Sequence, residues 1–140
     1  MKLGRVERLR VFGSGLAILV LALAACQAAI AVPPDSATPE VVLDTYLRAL
    51  VAGDCDSGRK LATATFRMGS GELCGSTHVS AYRIDAGQAH PSPDEIVFST
   101  RLTTTGTDDG SIEPGEILWF YSLDRQPSGP WRISGGGTGP

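Results

Sequence analysis

Thr38-Pro39-Glu40-Val41-Val42-Leu43-Asp44-Thr45-Tyr46-Leu47-Arg48-Ala49-Leu50-Val51-Ala52-Gly53-Asp54 is the stretch on which the fold turns. Thr38 suits an N-cap, Pro39 the first helical position, and Glu40 the first turn, where the helix dipole favours a negative charge. Val42, Leu43, Tyr46, Leu47, Leu50 and Val51 recur at helical spacing and form one apolar stripe. Glu40, Asp44 and Arg48 take the opposite side, and the last two are spaced for an i,i+4 ion pair. Gly53 stops the helix. A second helix is expected from Cys55 to Phe66, capped by Asp54 or Asp56, with Leu61, Ala62, Thr65 and Phe66 turned inward. Gly69-Ser70-Gly71 then breaks the chain.

Beyond Ser76 the helical period gives way to β-formers. Strands are expected at Thr77–Asp85, Glu95–Thr105, Glu116–Arg125 and Trp131–Ser134. Tyr82 and Ile84 share a face of the first. In the second, Ile96, Phe98, Thr100 and Leu102 alternate with Val97, Ser99 and Arg101; in the third, Ile117, Trp119, Tyr121 and Leu123 line one side. Turn residues at 107–110, 113–115 and 127–130 separate the runs. Helices followed by hairpin-linked strands make an α+β domain, two N-terminal helices on a curved antiparallel sheet of about four strands. Residues 38–134 form this domain, 33–37 (PPDSA) a stiff linker, and 135–140 (GGGTGP) a flexible tail.

Ahead of the domain, residues 1–32 read as an address. Lys2, Arg5, Arg8 and Arg10 face only Glu7, and an apolar run from Val11 follows. Leu23-Ala24-Ala25-Cys26 resembles the bacterial lipoprotein signal, which implies lipid on Cys26. Two alternatives stand beside it. Val11–Val32 is 22 residues, about 33 Å as a helix and enough to cross a bilayer; Ala29-Ile30-Ala31 also fits a signal cleavage site. Each alternative carries residues 35–140 out of the cytoplasm, tethered to the membrane or released.

Charge and cysteines agree with export. After residue 10 the chain holds 8 basic and 14 acidic residues, which argues against a nucleic-acid partner. Of three cysteines, setting Cys26 aside leaves Cys55 and Cys74, an even pair that reads as a disulfide in an oxidising compartment.

The phrases Thr38-Pro39-Glu40-Val41-Val42, Tyr46-Leu47-Arg48-Ala49-Leu50 and Gly53-Asp54, followed by a second helix and a strand-rich half, resemble the nuclear transport factor two-like domains of the cystatin-like class. More narrowly they look like small secreted or lipid-anchored actinobacterial members of unknown function. The resemblance implies a cone with an apolar pocket between helices and sheet, and either a binding domain or an isomerase-type enzyme.

For an enzyme, Asp44, Asp85 or Asp124 would be the base, beside Tyr46, Tyr82 or Tyr121. None of these carboxylates falls on the apolar face of its own element, so they read as solvated. His78 and His90 read as surface groups. The loop bearing Asp108, Asp109, Glu113 and Glu116 lacks EF-hand spacing, and no cofactor or metal is expected. Tyr46, Tyr82, Phe98, Trp119 and Tyr121 are the candidates to line a pocket; packing in the core is the competing role. The expectation is a non-catalytic, membrane-tethered binding or accessory domain, taking a small apolar ligand or an envelope protein; a small isomerase-type cavity enzyme and a structural protein-interaction domain are the alternatives.

Overall fold

The computed structural model describes residues 28–69, 71–89 and 92–139. Cys26, the lipoprotein-like quartet and His90 lie outside them.

Helix α1 spans Pro39–Ala52 as its caps dictate. The Thr38 hydroxyl accepts from Val41 N–H at 3.5 Å, and Gly53 closes the far end at φ 70°, a conformation that glycine adopts without a Cβ penalty. Its stripe is buried as read: Val42, Leu43, Tyr46, Leu47 and Leu50 all face inward.

The expected second helix is in fact two. Helix α2 covers Cys55–Lys60 and α3 covers Ala64–Arg67. Between them Leu61–Thr63 leaves the helix to pair with the sheet: Ile133 N–H donates to Leu61 C=O at 2.9 Å, and Thr63 N–H to Ile133 C=O at 2.8 Å. Thr63 then caps α3 by accepting from Phe66 N–H. A tertiary pairing thus overrides a continuous local pattern.

Four strands follow: β1 Val79–Ala89, β2 Glu95–Thr104, β3 Gly115–Arg125 and β4 Trp131–Gly137. They form one antiparallel sheet in the order β1-β2-β3-β4. The register stacks Phe98 opposite Tyr121 and Thr100 opposite Trp119, so the predicted alternation becomes a continuous inner face. Thr100 is buried there and satisfies its hydroxyl on Trp119 C=O at 2.7 Å. β1 carries two irregularities, between Val79 and Ala81 and between Ile84 and Ala86.

The last strand runs further than its sequence suggests. Gly135, Gly136 and Gly137 pair with Ser122, Tyr121 and Phe120, where a flexible tail was expected. Absent side chains explain it. A Cβ on Gly136 would meet Gly71 C=O, Phe66 and Trp119 Nε1, each at 3.1 Å. Two backbones cross there with nothing between them.

The inner faces of α1, α2, α3 and the sheet close on a single cluster that includes Leu43, Leu47, Phe66, Leu102, Leu123 and Ile133. Cys55 and Cys74 are bridged, with Cα atoms 5.6 Å apart, tying the start of α2 to the approach to β1. Such a bond fits an oxidising, extracytoplasmic compartment.

Residues 28–38 are part of this structure as well. Ile30 N–H donates to Asp54 Oδ2 at 2.9 Å, beyond the C-terminal end of α1. Asp35 then lies 3.7 Å from Arg132 at the start of β4, and Ala37 packs on the core. The segment therefore runs antiparallel to α1. Ala28–Val32 is not helical, which removes five residues from the 22-residue membrane helix considered above. Pro33 and Pro34 disfavour helix before them, and Asp54 captures the Ile30 amide. No helix among the described residues is long and apolar enough to cross a membrane.

Candidate binding site

Where the resemblance implies a pocket, the cone holds aromatic rings. Tyr46 stands edge-on to Tyr121 with centroids 5.5 Å apart and to Phe66 at 6.0 Å; Phe66 and Tyr121 are 6.4 Å apart. Tyr46, Phe98, Trp119 and Tyr121 all belong to the packed core. Tyr82 is half-buried, and its hydroxyl donates to Asp44 Oδ1 at 2.7 Å across the α1–β1 contact. None of these five residues lines a hollow described below.

One carboxylate does reach the rings, and the sequence reading passed over it. Glu72 Oε1 accepts from the Tyr46 hydroxyl at 3.4 Å, and its Oε2 lies 3.4 Å from Arg59 Nε. The Glu72 side chain is only 8% exposed. Burial, the neighbouring Tyr121 and Glu72 push the Tyr46 phenol far above its usual value. Burial and Glu72 do the same to Tyr121. Both stay protonated donors at any ordinary pH. The Tyr121 hydroxyl and Trp119 Nε1 are buried with no hydrogen-bond partner among the described residues. A signal for Glu72 did exist. The 55–74 bridge places Arg59, one helical turn past Cys55, near a residue two positions before Cys74.

The other carboxylates weighed from the sequence are structural or solvated. Asp44 holds Tyr82 and Arg48. Asp85 pairs with Arg83 and Arg101, chiefly Arg83, which lowers its pKa. Asp124 is half-buried opposite Arg132, on the side of β3 away from Tyr121. Asp109 accepts from the Thr107 hydroxyl and Ser111 N–H, which hold its pKa down to about 2 and shape the β2–β3 loop. Among the described residues no three His, Cys, Asp or Glu side chains gather as a metal ion requires.

Open space lies at one end of the cone, its mouth. A hollow of about 400 Å³ is bounded by Leu50, Gly53, the Cys55–Cys74 bridge, residues 75–78 and the β2–β3 loop at Thr105, Gly106 and Asp108. Its apolar lining is Leu50 and the bridge, and its polar lining is the hydroxyls of Ser76, Thr77 and Thr105 with the exposed His78 and Asp108. A second hollow of about 410 Å³ shares Ser76 and Asp108 with the first and reaches Glu72. The two form a continuous groove across the mouth. Thr105 N–H to His78 C=O at 3.0 Å and the Thr77 hydroxyl on Gly106 C=O fasten the walls together.

Cone, curved sheet and helices across its inner face match solved structures. The NTF2-like protein of unknown function in nutrient uptake from Rhodospirillum rubrum superposes with a TM-score of 0.51 at 16% identity, over 71% of this chain and 95% of that one. The fold is the NTF2-like cone. A SEC-C motif containing protein from Rhodopseudomonas palustris is similar too, with a TM-score of 0.55 and 12% identity over 76% of this chain and 83% of that one. No family model and no curated protein matches the sequence. At these identities the likeness speaks for the NTF2-like architecture alone.

Proposed function

We propose that this protein is an exported, membrane-tethered binding or accessory domain that does not catalyse a reaction and takes its ligand in the groove at the mouth of the cone. The observation that supports this most is the distribution of space. The interior is occupied by Tyr46, Phe66 and Tyr121, while the mouth keeps a groove whose wall is a disulfide. Ligand sites combine an apolar floor with a few polar groups that fix orientation, and this groove has both. The ligand class is a small molecule or peptide with one apolar face against Leu50 and the bridge, and polar atoms toward Ser76, Thr77 and Asp108. The reading is tested by a thermal-shift screen of the full chain against lipids and cell-envelope fragments. A true ligand at about a hundred times its Kd adds about 2.7 kcal/mol to apparent stability. Ser76→Trp, which fills the groove, should abolish the shift; a hit indifferent to it would place binding elsewhere.

The alternative, an isomerase-type enzyme, draws on Glu72. A nearly buried carboxylate beside two protonated phenols is the set needed to move a proton next to a carbonyl. Glu72→Gln separates the readings. Under the first reading binding against Leu50 and the bridge persists, because Glu72 lines only the second hollow; under the second reading turnover is removed.

A further inference from the structure

The start of the sequence suggests a simple geometry: membrane segment, linker, then the N-terminal end of α1 nearest the bilayer. Residues 28–38 reverse it. The N-terminal end of α1 lies at the end of the cone remote from the mouth, with the 126–130 turn, because β4 leaves that turn and Asp35 meets Arg132 there. From Thr38 the chain, read backwards, passes Ala37 against the core and the stiff Pro33-Pro34 pair. It reaches the mouth at Ile30, whose amide is held by Asp54. Seven residues lie between Ile30 and Thr38 and include a turn closed by Ala37 N–H on Pro34 C=O, so they reach about 23 Å, enough to cover the roughly 21 Å of a 14-residue helix. Ala28 and Ala29 then line a small hollow together with Ala52, Gly53 and Asp54, and Gly53 also borders the mouth groove.

We infer that the domain stands on the bilayer with its mouth toward the headgroups, so that the groove beside the Cys55–Cys74 bridge opens onto the membrane surface. The inference rests on the tethered reading above and adds the direction in which the site faces. With Cys26 as the anchor, only Gln27, at most about 7 Å of chain, separates the attachment point from Ala28. An arm that short cannot swing an 11-residue strand, about 36 Å long, end over end while Ile30 stays on Asp54. Asp54, Asp108 and Asp109 lie at this end and are repelled by an anionic surface, so the tether and not charge holds the mouth there. The ligand is accordingly one presented at the headgroup layer.

The experiment uses the full chain in membrane vesicles containing headgroup-spin-labelled phosphatidylcholine. A fluorescent amino acid replaces Asp108 at the mouth in one variant and Ser128 in the opposite turn in another. Quenching several-fold stronger at 108 than at 128 is expected. Asp54→Ala, which frees the Ile30 amide, should narrow that difference, whereas Asp54→Asn, which keeps an acceptor, should preserve it. Recovery of the chain free of membranes overturns the tethered reading itself. A chain that stays on the vesicles with position 128 quenched as strongly as 108, or more so, overturns the orientation alone. An unchanged difference in Asp54→Ala removes the latch from the account.

Discussion

Tyr46 and Tyr121 differ by one hydrogen bond, and that difference predicts opposite responses to losing a hydroxyl. Tyr46 donates to Glu72, so Tyr46→Phe leaves a nearly buried carboxylate with one donor fewer and should cost about 1–3 kcal/mol. Tyr121 has no partner among the described residues, so Tyr121→Phe should be neutral or slightly stabilising. Urea unfolding of both variants measures this. Alkaline titration offers a second check, because the chain has three tyrosines and all are raised. Burial, and then the Asp44 carboxylate, pushes Tyr82 up to about 12. A raised folded pKa contributes stability that is complete below the unfolded value of 10 and is lost as pH rises through 12. Near-ultraviolet absorbance should therefore show almost no tyrosinate at pH 10. Tyr46 and Tyr121 should ionise only together with unfolding. Which tyrosines would be core was legible from their place in each periodic run. Glu72 was not legible from periodicity, because a lone acid after a glycine-rich break has no period to place it; only the spacing of the bridge points to it.

At the scale of elements, two nonlocal contacts decide what local pattern could not. The bridge closes a loop of about 20 residues, and its reduction should lower stability by about 3 kcal/mol, read as a shift in denaturant midpoint in the presence of a thiol reagent. Helix α1 was legible because cap, stripe and stop signal agree within 17 consecutive residues. The break at Leu61–Thr63 was hidden, since its cause is Ile133, some seventy positions on. The same holds for Gly135–Gly137, whose pairing is permitted by Gly71 on the opposing chain. A Cβ on Gly71 would strike Gly136 C=O, closer than real contacts allow. Gly71→Ala should cost about 1–3 kcal/mol as an overpacked site, measured by thermal unfolding, whereas Gly110→Ala meets open space and tests only the strain of its φ of 71°.

For the molecule as a whole, acid sensitivity follows from where the depressed carboxylates sit. Asp54 is lowered first by the Ile30 amide, Asp85 by Arg83 and Asp109 by the Thr107 hydroxyl. Each contributes stability that is present above the ordinary aspartate value of 3.8 and is lost as pH falls through its lowered pKa, which for Asp109 is about 2. Acid titration followed by circular dichroism should show stability level near neutrality and declining below about pH 4. Asp54→Asn should remove part of that slope. The overall architecture was legible because the inward residues of α1 and of three strands could each be assigned independently and had to meet. The site was less so: the aromatic residues that suggested a pocket are the ones that fill it.

The sheet has two unlike borders. Along β4, Leu61–Thr63 and Gly71 already occupy the outer side, so no free ladder is offered there. β1 forms the other border, 11 residues long, and its register slips twice, at Ala81 and at Ala86. A foreign strand seeking to extend the sheet would meet backbone groups out of step after every few residues. Polymerisation through β1 is thereby discouraged.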